Sequence, residues 1–75
     1  MTTREAIAPI ADSVRMAKVA EMAMPEITKQ AFYQRLGAYD NHGKPMRDFK
    51  PEERARIKRA LLRIGQEIII AAEKL

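Results

Sequence analysis

The chain has 75 residues, 47% hydrophobic and 32% charged, with no cysteine. That balance suits one folded domain and is too apolar for a disordered tail, and the missing cysteine excludes a disulfide framework and a thiolate metal site. The net charge of +4 points toward polyanionic partners, and a domain this short hides only about 60% of its unfolded surface, so a second copy is an expected source of stability.

Taken in order, the chain predicts a helical protein. Met1-Thr2-Thr3-Arg4-Glu5 carries an acid and no long apolar run, so no signal peptide is expected. Thr2 and Glu5 have the spacing of a capping box. Pro9 then leaves two readings: a short helix ending near Ala8, or a first helix that starts with Pro9 at its first position. Asp12 and Ser13 are caps for a helix running to Ala23, in which Val14, Ala17, Ala20 and Met24 recur at helical spacing. Met24-Pro25-Glu26 ends it. Thr28 caps the next helix, which runs to Leu36 and stops at Gly37.

Residues 38–49 hold Asn41-His42-Gly43 and Pro45 and show neither helical nor strand periodicity, so they read as a loop or a short wing. Pro51, followed by Glu52 and Glu53, opens a closing helix through residue 74. Its apolar line is Ile57, Leu61, Ile64 and Ile68, with Leu62, Ile69 and Ile70 adding a second. A straight helix of that length spans about 36 Å, more than the width of so small a domain. Its end therefore needs a partner, or a kink at Gly65 that folds it back: a dimer seam or a helix closing its own core. The tract Glu67 to Ala72 is far short of the roughly 20 apolar residues that span a bilayer. The expected fold is all-α, a single domain of about four helices in a compact bundle, cytoplasmic and without membrane contact.

Charge is concentrated in the middle. Residues 28–63 carry ten bases against Asp40, Asp48, Glu52 and Glu53, a net +6, while residues 1–27 and 64–75 each come to −1. Within that region Ile27-Thr28-Lys29-Gln30-Ala31-Phe32-Tyr33-Gln34-Arg35-Leu36 has the features that a helix in a DNA major groove needs: a capped start, an apolar inner face and long polar side chains outside. Phe32 and Leu36 face inward. Lys29, Gln30, Tyr33 and Gln34 form the outer surface, glutamine matching adenine and lysine the guanine acceptors, with Tyr33 suited to phosphate or a thymine methyl. Thr28, the amides behind it and Arg35 suit phosphate. The competing reading is the wet face of an ordinary amphipathic helix.

The string ITKQAFYQRL resembles the recognition helix of small helix-turn-helix regulators of the Cro/repressor type. VAEMA, Val19 to Ala23, is similar to the first helix of that motif, with Ala20 where two helices touch, and FKPEERARIKRAL, Phe49 to Leu61, to its closing helix. The resemblance covers roughly residues 13–64, with the helix-turn-helix at about 13–36. It departs from the family at Met24-Pro25-Glu26, where the turn usually carries glycine and is about two residues shorter. It implies double-stranded DNA binding by a homodimeric transcription regulator of prokaryotic, plasmid or phage type. If residues 38–49 form a wing, Lys44 and Arg47 reach the sugar-phosphate backbone or the minor groove.

Other chemistry has little to stand on. His42 is the only histidine and has no second imidazole or thiolate with which to hold zinc. The chain lacks a glycine-rich phosphate loop, a nucleophile elbow and a clustered carboxylate pair, so neither enzymatic activity nor a cofactor is expected. Phe32, Tyr33, Tyr39 and Phe49 do not form a single-strand stacking platform, and structured RNA bound by charge alone is a weaker option. The rival class is a helical protein-interaction module, antitoxin-like or an adaptor, that docks through its apolar C-terminal helix. The bases around the closing helix, Arg54, Arg56, Lys58, Arg59 and Arg63, read mainly as solubilising, with a minority near its start in reach of phosphate.

Overall fold

The structure, a computed structural model, describes residues 1–37 and 47–75. It is a small all-α bundle: four α-helices and no strand among the described residues. Helix α1, Thr3–Ile7, opens on the expected capping box, with the Thr2 hydroxyl accepting from the Glu5 amide and the Glu5 carboxylate from the Thr2 amide, both at 3.1 Å. A 3-10 turn, Ala8–Ile10, follows and carries Pro9. Of the two readings of this segment, the short first helix is the one that forms.

Helix α2, Met16–Ala23, starts later than Asp12 and Ser13 would have it. Both the Ser13 and Val14 amides donate to the Ile10 carbonyl at 3.0 Å, so this stretch is still closing the preceding turn, and extended Arg15 is the cap. Helix α2 buries Val19, Ala20 and Ala23, and ends at Met24, which is itself buried. Met24 has φ −140°, outside the left-handed region, so this turn does not require the glycine usual in the resembling motifs. An apolar side chain can occupy the position, and methionine fills the core there.

Helix α3, Lys29–Gly37, is capped as expected: the Thr28 hydroxyl accepts from the Ala31 amide at 3.0 Å. Helix α4, Pro51–Glu73, has proline at its start, and the Glu53 carboxylate reaches back to the Lys50 amide at 2.8 Å. It runs unbroken through Gly65, so the chain does not fold back there. The possible wing falls largely on residues 38–46, outside the described residues; residues 47–50 lead into α4, with Lys50 extended at its cap.

The core is Val19, Ala20, Ala23, Met24, Phe32, Phe49, Ile57 and Ala60. Val19 and Phe32 are wholly buried, and the Phe32 and Phe49 rings lie 5.3 Å apart. The principal packing is α2 on α4, with α3 laid across through Phe32 and α1 on the C-terminal end of α3. Ile64 is the last residue of α4 to pack on the core; Glu67 and Ile68 still border a groove with Ser13, Val14, Arg15 and Lys18, and the helix end extends past the body. The radius of gyration is 13.3 Å and the long axis 47 Å, against about 11 Å expected for the radius of a compact domain of this length. No helix among the described residues is long and apolar enough to cross a membrane.

Candidate nucleic-acid interface

Helix α3 is held by one side and open on the other. Phe32 is wholly buried and Leu36 packs against the core, while Thr28, Lys29 and Gln30 are exposed and Tyr33 is 44% exposed. At 100° per residue Gln30 and Gln34 lie opposite Phe32, and Tyr33 lies beside them. The open part is therefore the N-terminal two turns. Gln34 is only half-exposed and already has an interaction partner. The Tyr33 ring stands edge-on to Phe32 at 6.2 Å, while the residue as a whole stays exposed. At the other end of α3, Arg4 donates to the Gly37 carbonyl at 3.5 Å, placing a cation where the helix dipole favours one.

Arg35, expected to contact phosphate, is turned away from that outer surface. Its guanidinium makes a bidentate pair with Glu53, 2.9 and 2.8 Å, and lies 4.6 Å from the centroid of the Phe49 ring. Both side chains of the pair are mostly covered, at 22% and 16% exposure. Inside the protein the pair is charge-assisted, and the aromatic face adds a cation–π contact. The hydrogen bonds from Arg35, and then that from the Lys50 amide, hold the Glu53 carboxyl down at about 2, against burial, which opposes the shift. The bonds to Glu53 in turn raise the Arg35 guanidinium, against burial. Arg35 thus fastens α3 to the start of α4.

Arg47 is exposed and lines a hollow of about 360 Å³ together with Arg35, Asp48 and Lys50. Asp48 anchors this edge. Its carboxylate accepts from the Thr3 amide at 3.0 Å and from the Phe49 amide at 2.8 Å, with Arg54 at 3.8 Å. Burial pushes its carboxyl up, but the bonds from Thr3 and Phe49 and the charge of Arg54 outweigh it, and the net shift is downward. Lys44 lies outside the described residues, so of the two expected wing bases only Arg47 is placed.

The bases around the closing helix, read from the sequence as mainly solubilising, contribute a second basic feature. Arg56, Arg59 and Arg63 line one groove of about 350 Å³ beside Met22 and Ala23 of α2. Arg56 ties α4 to the α2–α3 turn through Glu26, with contacts of 2.8 and 2.9 Å. Intervals of three and four residues put these three arginines on one helix face. That spacing was readable in the sequence, but only the packing of α2 beside them makes it a groove.

The fold defines a class, the small all-α bundle. No protein-family model, curated protein or solved structure matches the chain.

Proposed function

We propose that the protein binds double-stranded DNA sequence-specifically through the open face of α3, as a homodimer joined through α4 and with no catalytic chemistry, in the manner of a small transcription regulator. The observation that carries this reading is the two-sidedness of α3: Phe32 is wholly buried while Thr28, Lys29, Gln30 and Tyr33 of the same two turns face solvent. A helix seated by a large aromatic and presenting its capped end with long polar side chains has the form that enters a major groove. Thr28 and the first amides meet phosphate, Lys29 and Gln30 reach base edges, and Tyr33 packs beside them. Gln34 assists from the edge of this face, and Arg47 flanks it.

The test is binding of the full chain to a mixed pool of duplexes, followed by selection of a preferred site. Affinity falls steeply with salt, and Lys29→Ala with Gln30→Ala removes the sequence preference while the helical signal persists. Absence of duplex binding at about 50 mM salt overturns the reading. It would favour the rival, a helical protein-interaction module of antitoxin or adaptor type, for which the exposed apolar end of α4 is the supporting observation.

A further inference from the structure

The end of α4 is apolar on more sides than the body can cover. Leu62, Ile68, Ile69 and Ile70 are 63%, 54%, 59% and 48% exposed. A compact protein of this mass exposes about 4700 Å², whereas this chain exposes 5784 Å². The excess of about 1100 Å² belongs to the whole chain, and these four exposed apolar side chains contribute to it.

Lys58, Leu62, Gly65, Ile69 and Ala72 follow one another at intervals of four, three, four and three, a line turned to one side of the Ile57–Ile64 line that faces the core. It continues the apolar groove of about 500 Å³ between α1 and α4, lined by Ala6, Ile7, Leu61 and Leu62 together with Arg54 and Lys58. Large and small residues alternate along it from Leu62 to Ala72. A Cβ at Gly65 would meet nothing within 4 Å, so the single copy has no need of a glycine that weakens its longest helix.

We propose that a second copy of this chain covers the overhang, the two α4 helices running antiparallel with Leu62 against the partner's Ala72 and Gly65 against the partner's Ile69. Each layer of that seam sets a large side chain into the space left by a small one, as close packing requires. Charge selects the direction. In an antiparallel pair like flanks meet, which brings Arg59 toward the partner's Glu73 and, by symmetry, repeats the contact. A parallel pair would set Lys58 on the partner's Lys58 and leave a gap at Gly65 against the partner's Gly65. The arrangement is two-fold, so it closes at two copies and does not extend into a fibre. It rests on the homodimer of the preceding reading, gives it a geometry and is tested without DNA.

The experiment is sedimentation equilibrium on the full chain and on two variants. The unaltered chain sediments at twice its 8.6 kDa. Ile69→Glu, at a position exposed in the single copy, keeps its helical circular dichroism and weakens self-association more than about a hundredfold, because the interface would bury a lone charge. Gly65→Leu holds or raises helix content and still loses the dimer. For direction, the chain has no native thiol, so a Leu62→Cys, Ala72→Cys double variant supplies the sole reporters. About 15 Å apart along one helix, the two cannot bridge within a chain, and oxidation gives a covalent dimer. A single-copy mass at millimolar concentration, an Ile69→Glu protein that dimerises like the unaltered one, or covalent dimerisation of Leu62→Cys alone each overturns the proposal. A dimer without duplex affinity leaves it standing and removes only the DNA reading; duplex binding by a strictly single-copy protein does the reverse.

Discussion

Arg35 and Glu53 show how one pair decides what a helix face can do. Arginine beside Gln34 in a basic segment reads as a phosphate contact, but the bidentate bond to Glu53 and the Phe49 ring behind it turn the side chain inward. Replacing Glu53 with glutamine removes the charge assistance and leaves Arg35 mostly covered without its counter-ion. We expect a loss of about 2 kcal/mol in urea unfolding at neutral pH. The pH dependence follows from the depressed carboxyl. Glu53 ordinarily titrates at 4.5 and here at about 2, so its stabilisation is full above the upper value and is lost as pH falls through the lower one. The gap between the unaltered chain and Glu53→Gln should therefore close between these two pH values. A gap that stays constant across this window would show that the pair does not carry the effect.

Among the elements, α3 depends on its first turn and α4 on its first two. Thr28 supplies the side-chain cap of α3, so Thr28→Ala should cost about 1 kcal/mol in thermal or urea unfolding, with Thr28→Ser restoring most of it. Equal stability of the alanine and serine variants would contradict a capping role. The start of α4 is tied on two sides, to α3 by Glu53 and to the α2–α3 turn by the Arg56–Glu26 pair. Its second half is tied to nothing in the core: the buried residues of α4 are Ile57 and Ala60, and Leu61 and Ile64 are the last to pack against them. Ending the chain after Gly65 should therefore leave a folded body whose helical signal drops only by the part removed, while self-association in sedimentation is lost. Cooperative unfolding of the whole body in that variant would mean that the overhang supports the core.

For the whole molecule, the mean positive charge of the sequence resolves into separate features. One is the exposed start of α3 with Lys29, another the hollow with Arg47 and Lys50, and a third the groove of Arg56, Arg59 and Arg63. Several cations on the body and an apolar arm leaving it are consistent with two separate jobs, contact with a polyanion by the body and contact with another chain by the arm. If duplex DNA is bound, the slope of log affinity against log salt should report the number of phosphates neutralised, at about 0.9 per contact. Converting Arg63 to glutamine should lower that slope by about one such contact if the groove lies on the bound side. An unchanged slope assigns the groove to solvent.

The sequence by itself determined the all-α class, the caps at Thr2 and Thr28, the burial of Phe32 and the helices ending near Ala23 and Leu36 and opening at Pro51, because these depend on local spacing and local hydrogen bonds. It started the first of these helices at Asp12 or Ser13, where the structure starts it at Met16. It also indicated that the last helix is too long for the body, since length follows from the rise per residue alone. Only the tertiary structure decided that Arg35 belongs to Glu53, that Asp48 ties α1 to the start of α4, that three arginines of α4 share a groove with α2, and that α4 runs straight past Gly65. Each of these joins positions set by how helices pack, or, at Gly65, turns on whether anything folds the helix back. A charged or small side chain has no preference of its own between solvent and a partner until packing brings the partner within reach.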